Sequence, residues 1–160
     1  MPAASDSPGV VVRPPLLYLG ALLVLVALRW AWPVPILASA SLALGVGAAL
    51  GVAALALGFW AVLTMRSAGT NVDPHRESTT IVTAGPFRYT RNPIYVGFDL
   101  LFVGITLALN DGWGLVLLAP LLVVMHVGVI RREERYLERK FGGDYLRYKN
   151  DVARYVGRAP

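Results

Sequence analysis

The chain has no cysteine, which excludes disulfides, thiolate nucleophiles and cysteine-ligated metals. Histidine is nearly absent too: His75 and His126 are too few and too far apart in sequence to suggest a metal site by themselves. Charge is scarce, at 16% of residues, where a soluble domain carries about a quarter. Apolar residues fill the place of all three. They make up 56% of the 160 residues and gather into long runs, which points to an integral membrane protein. The length suits a single all-α domain, residues 1–160, built as one small helical bundle. The net charge of +5 reads as a topology signal, and nothing in its pattern suggests nucleic-acid binding.

Four spans are expected, at about 16–32, 36–65, 94–109 and 113–130. Residues 1–14, with Pro2, Pro8 and Pro14, read as a mobile or surface-lying tail. Ala38-Ser39-Ala40 resembles a leader cleavage site. It lies far beyond the first apolar run, and the basic flank is only Arg13, so that run is read as a span. Pro33-Val34-Pro35 separates the first two spans. Gly47 and Gly51, with Gly58 after them, form a small-residue stripe that lets another helix approach closely, and Gly45-Val46-Gly47 is read as packing rather than a nucleotide loop. Asn110-Asp111-Gly112 is a tight turn that makes the last two spans an antiparallel hairpin, with a kink expected at Pro120. Nine of the fifteen Lys and Arg residues lie between Arg131 and Arg158, four more lie in 66–92, and Arg13 is in the tail. That bias places both termini and the 66–92 loop in the cytoplasm. Trp30, Trp32 and Trp113 then form an outer aromatic belt, with Trp60 nearer the inner side.

One polar stretch lies between the apolar halves: Gly85-Pro86-Phe87-Arg88-Tyr89-Thr90-Arg91-Asn92-Pro93-Ile94-Tyr95-Val96-Gly97. Gly-Pro marks a turn. Asn92-Pro93 reads as a helix start, with Asn92 as the N-cap. Free N–H groups at a helix start beside arginines suit a carboxylate or phosphate, and nearby rings suit a flat base or a cation. The hairpin brings Arg91 and Asn92 to the same face as Arg131–Glu134. Along that last helix, Glu134 lies within roughly 40° and Glu133 within roughly 60° of the direction shared by Ile130, Leu137 and Phe141. Arg132, Arg135 and Arg139 point away, so both glutamates are expected to turn inward toward the loop of Arg91. Phe141-Gly142-Gly143 ends this helix, and Asp144 is read as the cap of a short one carrying Tyr145, Tyr148 and Val152. Asp99 lies inside the third span, where a carboxylate is a functional candidate; it reads either as a holder of a lipid amine or as a protonated packing residue. His126 is placed to meet it across the hairpin.

The order of these pieces is a Gly-Pro-aromatic turn, Arg-x-Pro-x-Tyr-x-Gly, a hairpin, two adjacent glutamates, and Phe-Gly-x-x-Tyr-x-x-Tyr-x-x-x-Val-x-Arg. Over residues 70–158 it resembles the isoprenylcysteine carboxyl methyltransferase and phospholipid methyltransferase superfamily. The family's Arg-His-Pro stands here as Arg91-Asn92-Pro93, and an amide cannot act as a base near neutral pH. The resemblance implies S-adenosylmethionine bound by residues of about 70–97 and 131–158. It implies that Arg91 and the helix start at Asn92-Pro93 meet the cofactor carboxylate, and that Glu133 or Glu134 meets its ammonium or ribose. An aromatic wall from Phe87, Tyr89, Tyr95 or Tyr148 would face the adenine. Gly85, Pro86, Arg88 and Gly97 fall in the same motif and count as cofactor candidates. Catalytic candidates are Arg91, Glu133, Glu134 and Asp99, acting on a membrane lipid or lipidated small-molecule acceptor. A nicotinamide-dependent membrane reductase and a non-enzymatic helical scaffold are the competing classes.

Overall fold

Proline and serine set where the first two helices begin. In the computed structural model, which describes residues 8–157, α1 (Pro14–Ala31) starts on Pro14, a residue suited to the first helical position. Helix α2 (Ala40–Ser67) is capped by Ser39, whose Oγ accepts the Leu42 N–H at 3.3 Å. It therefore starts later than the apolar run from Ile36 suggests. The reason lies across the bundle. Asn110 Oδ1 accepts the N–H groups of Ile36 and Leu37 at 3.1 and 2.8 Å, which holds that linker out of the helix.

Helix α3 (Pro93–Ala108) packs along α2 on the glycine stripe. A Cβ on Gly47 would overlap the backbone of Gly104 and Ala108, and one on Gly104 would lie 2.9 Å from the Gly47 carbonyl. Gly97 faces the Ala54 carbonyl in the same way, whereas Gly45 faces open space. Close approach thus explains the stripe.

The turn after α3 closes as expected. Asn110 takes a positive φ of 51°, a conformation that asparagine tolerates better than most side chains. The fully buried Asp111 carboxylate accepts the Trp113 and Val34 N–H groups at 3.1 and 3.3 Å, with Arg29 at 3.8 Å. Helix α4 (Trp113–Val124) then runs through Pro120 into a π turn, Met125–Ile130, and on into α5 (Arg131–Phe141). The irregularity after Pro120 is this π turn, which the expectation of a proline kink did not include. Gly142, at φ 54°, ends α5. Helix α6 (Gly143–Asp151) follows with Gly142 at its N-cap position. Asp144 is not the cap: it sits in the first turn, and its carboxylate pairs with Arg147 at 2.5 Å.

Among the described residues there is no strand. Within those residues three helices are long and apolar enough to cross a membrane: α1, α2 and the continuous Trp113–Phe141. Helix α3 is apolar but has only 16 residues, about 24 Å at 1.5 Å per residue. Leu23, Val52, Phe59 and Val123 are exposed on these helices, as a lipid-facing surface requires. The core is Tyr18, Tyr95, Phe102, Leu121, Met125 and Val129, with a second cluster of Ala61, Val82, Phe87, Tyr145 and Tyr148 at one end. Residues 1–7 of the expected tail lie outside the described residues. Residues 8–13 are packed: Val10 is buried and the Val11 N–H donates to the Gly128 carbonyl at 3.1 Å.

Candidate functional site

The site forms where α3 begins and α5 leaves the bundle. The sequence from Ala84 turns through a short 3-10 helix, Gly85–Arg88, before α3 starts on Pro93. Gly85 has φ 58°, and a Cβ there would stand 2.7 Å from Thr64 Oγ1, so it serves the turn and the contact with α2. Pro86 and Phe87 are buried, which brings the Phe87 ring inward and leaves Arg88 and Tyr89 on the outside. Tyr89 is 63% exposed, and Arg88 lines a separate depression with Thr83 and Asp144. These two candidates are not brought to the site.

The helical phase of α5 holds. Arg132, Arg135 and Arg139 are exposed, Glu134 is buried and Glu133 is half-buried. The two glutamates have different partners. Glu134 is gripped by Arg154, whose Nε and Nη2 donate to its two carboxylate oxygens at 2.8 and 2.7 Å, and Arg91 Nη1 stands 3.2 Å away. Glu133 accepts one hydrogen bond, from Tyr95 Oη at 2.8 Å. Arg154 comes from the tail after α6, which is tied down at several points. The Arg91 N–H donates to Ala153 O at 3.0 Å and the Gly157 N–H to Tyr89 O at 2.9 Å. Thr90 Oγ1 and Asn92 Nδ2 both donate to Arg154 O, at 3.1 and 2.9 Å. Asn92 occupies the N-cap position of α3 but its side chain makes no cap; it holds the tail instead.

Arg91 is the most informative group. Its side chain is 7% exposed, yet its Nε and Nη1 find no hydrogen-bond partner among the described residues. The 3.2 Å approach to Glu134 neutralises charge without the direction a hydrogen bond needs. Buried guanidinium nitrogens left this way are costly unless a further acceptor completes them. Tyr145 and Tyr148 stand over this arrangement from α6. Burial pushes both phenols well above their ordinary range; the Glu134 charge adds to the shift at Tyr145, and Arg91 opposes it at both. Tyr148 Oη donates to Phe87 O at 2.7 Å, so its ring is fixed beside the loop. The Glu134 carboxylate, hydrogen-bonded to Arg154, holds that guanidinium even further into its charged range.

A cavity of about 610 Å³ opens beside these groups. Phe87, Arg91, Asn92, Tyr95 and Glu133 form its polar end, and Pro93, Phe98, Val62 and Leu16 are among its apolar walls. Arg13, Asp73 and His75 also line it. In the loop, Asp73 accepts the His75 N–H at 2.9 Å, and this bond holds its carboxyl below the usual range. A smaller recess of about 60 Å³ shares Phe87, Arg91, Asn92 and Glu133 and adds Glu134, Tyr145 and Tyr148.

Of the residues expected in the site, Phe87, Arg91, Asn92, Pro93, Tyr95, Glu133, Glu134 and Tyr148 surround one or both spaces. Gly85, Pro86 and Gly97 shape the backbone. Asp99 lies outside both linings, hydrogen-bonded to Tyr18 of α1, whose ring stacks on Phe98 at 5.2 Å. His126 does not meet Asp99; its Nδ1 lies 2.7 Å from Tyr155 Oη. Two contributors escaped the site reading: Arg154 and Tyr145. Both stand in the Tyr-x-x-Tyr-x-x-x-Val-x-Arg pattern, which carried the signal.

An apolar helical bundle thus carries an arginine- and glutamate-lined cavity at one end, a concave place where a ligand can be held. Residues 42–144 match the phospholipid methyltransferase family, and the chain belongs to that family. It is 32% identical over 109 residues to the protein-S-isoprenylcysteine O-methyltransferase of Saccharomyces cerevisiae, a match covering 64% of this chain and 46% of that protein. It is 35% identical over 63 residues to an uncharacterized protein of Haemophilus influenzae, covering 39% of this chain and 100% of that one. The chain thus spans about half the length of the yeast relative. No solved structure matches it.

Proposed function

We propose that this protein transfers a methyl group from S-adenosylmethionine to a lipid-borne acceptor. One observation carries the reading: the buried Arg91 guanidinium, whose Nε and Nη1 lack hydrogen bonds among the described residues, at the polar end of the cavity. A cofactor carboxylate is a fitting complement to it. The donor set around it fits the rest of that cofactor. Among the described residues Glu133 has one hydroxyl partner and no cation, so it suits an ammonium or ribose hydroxyls. Phe87 and Tyr148 offer ring faces for adenine.

The bound cofactor supplies an electrophilic methyl on a sulfonium, and the protein's part is alignment and exclusion of water. Arg91 and Glu133 fix orientation. Pro93, Phe98, Val62 and Leu16 give the acceptor's hydrocarbon a dry path, and the cavity falls within the usual range for ligand sites of roughly 300–1,000 Å³. Where the acceptor is an amine, Glu133 is the group available to take its proton, since Glu134 is committed to Arg154 and Arg91. Where it is a carboxylate, Arg13, the other arginine on the cavity wall, is the group to hold it. We also propose four spans with both chain ends and the site in the cytoplasm. In support, Val11 touches Gly128 and Gly157 touches Tyr89, both at the site's end of the bundle. Titration of purified protein with S-adenosylhomocysteine and, in parallel, with NADPH tests the reading. Binding of the first alone is expected, and binding of NADPH alone would replace the methyltransferase with a reductase.

A further inference from the structure

Two stretches outside the family-matched residues close on a single turn. On one side, residues 8–13 form a strap: Val10 is buried in the core with Val129 and Ile130. The Val11 N–H donates to Gly128 O at 3.1 Å, and Arg132 Nη1 donates to Gly9 O at 3.1 Å. On the other side, Tyr155 Oη and His126 Nδ1 are 2.7 Å apart, with their rings stacked at 6.2 Å. Gly128 and His126 both belong to the π turn Met125–Ile130.

A π turn is rare because its geometry is poorer than that of the α-helix, so it needs support from outside. It holds about one residue more per turn, which rotates everything after it by about 100°. What comes after it here is α5, with Glu133 and Glu134. We propose that the strap and the C-terminal tail clamp the π turn in the register that aims these glutamates at Tyr95, Arg91 and Arg154. Val11, Gly128, His126 and Tyr155 are then positioning residues, none of which lines the cavity. The strap continues into Arg13 and Pro14, which do line it, so the same segment sets the phase of α5 and builds a wall. Only the cofactor arm of the test rests on the methyltransferase reading.

The absence of cysteine makes the test clean. A Cβ at Gly128 would lie 3.8 Å from the Val11 Cβ, the spacing of about 3.8 Å typical of a disulfide. Val11→Cys with Gly128→Cys is expected to oxidise to one disulfide and keep wild-type affinity for S-adenosylhomocysteine. Val11→Pro deletes the N–H donor, and Tyr155→Phe deletes the hydroxyl while keeping the ring. Each is expected to weaken S-adenosylhomocysteine binding at least fivefold in protein that remains folded and monodisperse. Spin labels at Leu122→Cys and Arg135→Cys, on exposed positions either side of the turn and on the order of 20 Å apart, read the helical phase directly. Their distance distribution is expected to shift or broaden in both variants. Tyr155→Phe alone carries the test where Val11→Pro fails to fold. Failure of the wild type to bind S-adenosylhomocysteine sinks the methyltransferase reading, while the label distances still judge the clamp. Unchanged distances, failure of the cysteine pair to oxidise, or shifted distances with unchanged affinity would each overturn the clamp.

Discussion

Replacing each adjacent glutamate by glutamine separates their roles. Glu134→Gln removes the anion between two guanidiniums, one of them with a side chain only 7% exposed. It forfeits the charge in bonds of 2.8 and 2.7 Å to Arg154 and the 3.2 Å approach of Arg91. Breaking a buried pair this way costs roughly 3–5 kcal/mol. The Arg154 side chain is 30% exposed, and water recovers part of its share, so about 2–4 kcal/mol is expected in stability. Glu133→Gln keeps an acceptor for Tyr95 and strands no cation, so its stability cost is expected to stay under ~1 kcal/mol. Its effect belongs in affinity: a tenfold or greater loss for S-adenosylhomocysteine or in turnover, about 1.4 kcal/mol. The assay is thermal unfolding in detergent beside a binding titration, with the exposed Arg135→Gln as a control expected to change little. Wild-type melting for Glu134→Gln, together with normal binding by Glu133→Gln, would refute the division of labour.

Gly47→Leu is expected to separate α2 from α3 at a cost of about 1–3 kcal/mol or more, while Gly45→Ala, facing open space, melts like the wild type. Asn92→Asp replaces the donor to Arg154 O with an anion, and a loss of about 1–3 kcal/mol in unfolding measurements is expected; equal stability would return Asn92 to a simple cap. Tyr145 and Tyr148 have phenols raised above their ordinary 10.0 by burial. Their contribution to stability is therefore fully present below about pH 10 and lost as pH rises beyond it. Absorbance titration of the folded protein should show these phenols ionising later than in unfolded chain.

The parts of the fold set by periodicity were legible: the apolar runs, the glycine stripe, the 110–112 turn and the inward phase of Glu133 and Glu134. What was not legible depends on partners far apart in the chain. Helix α2 starts at Ala40 because Asn110 holds Ile36 and Leu37, and no local signal at Ile36 records that. The π turn leaves the residue types of an ordinary apolar helix unchanged, so its rephasing is invisible to pattern reading. Asn92 carries every mark of an N-cap, but its amide finds a better acceptor in the tail. Arg88 and Tyr89 sat in the right motif, yet the 3-10 turn that buries Phe87 necessarily sends its neighbours outward. Asp99 was recognised as a carboxylate inside a span, but Tyr18 rather than His126 satisfies it.

Methyl transfer into lipid is measured directly by a labelled-methyl assay. Membranes containing the protein are given methyl-labelled S-adenosylmethionine and a lipid extract, and the organic phase is counted and its product identified. The expected result is label in a lipid-soluble product, lost in Arg91→Met, whose substituted side chain can no longer complete an anion at the cavity's polar end. Label that never leaves the aqueous phase, from protein that also fails to bind S-adenosylhomocysteine, would contradict it.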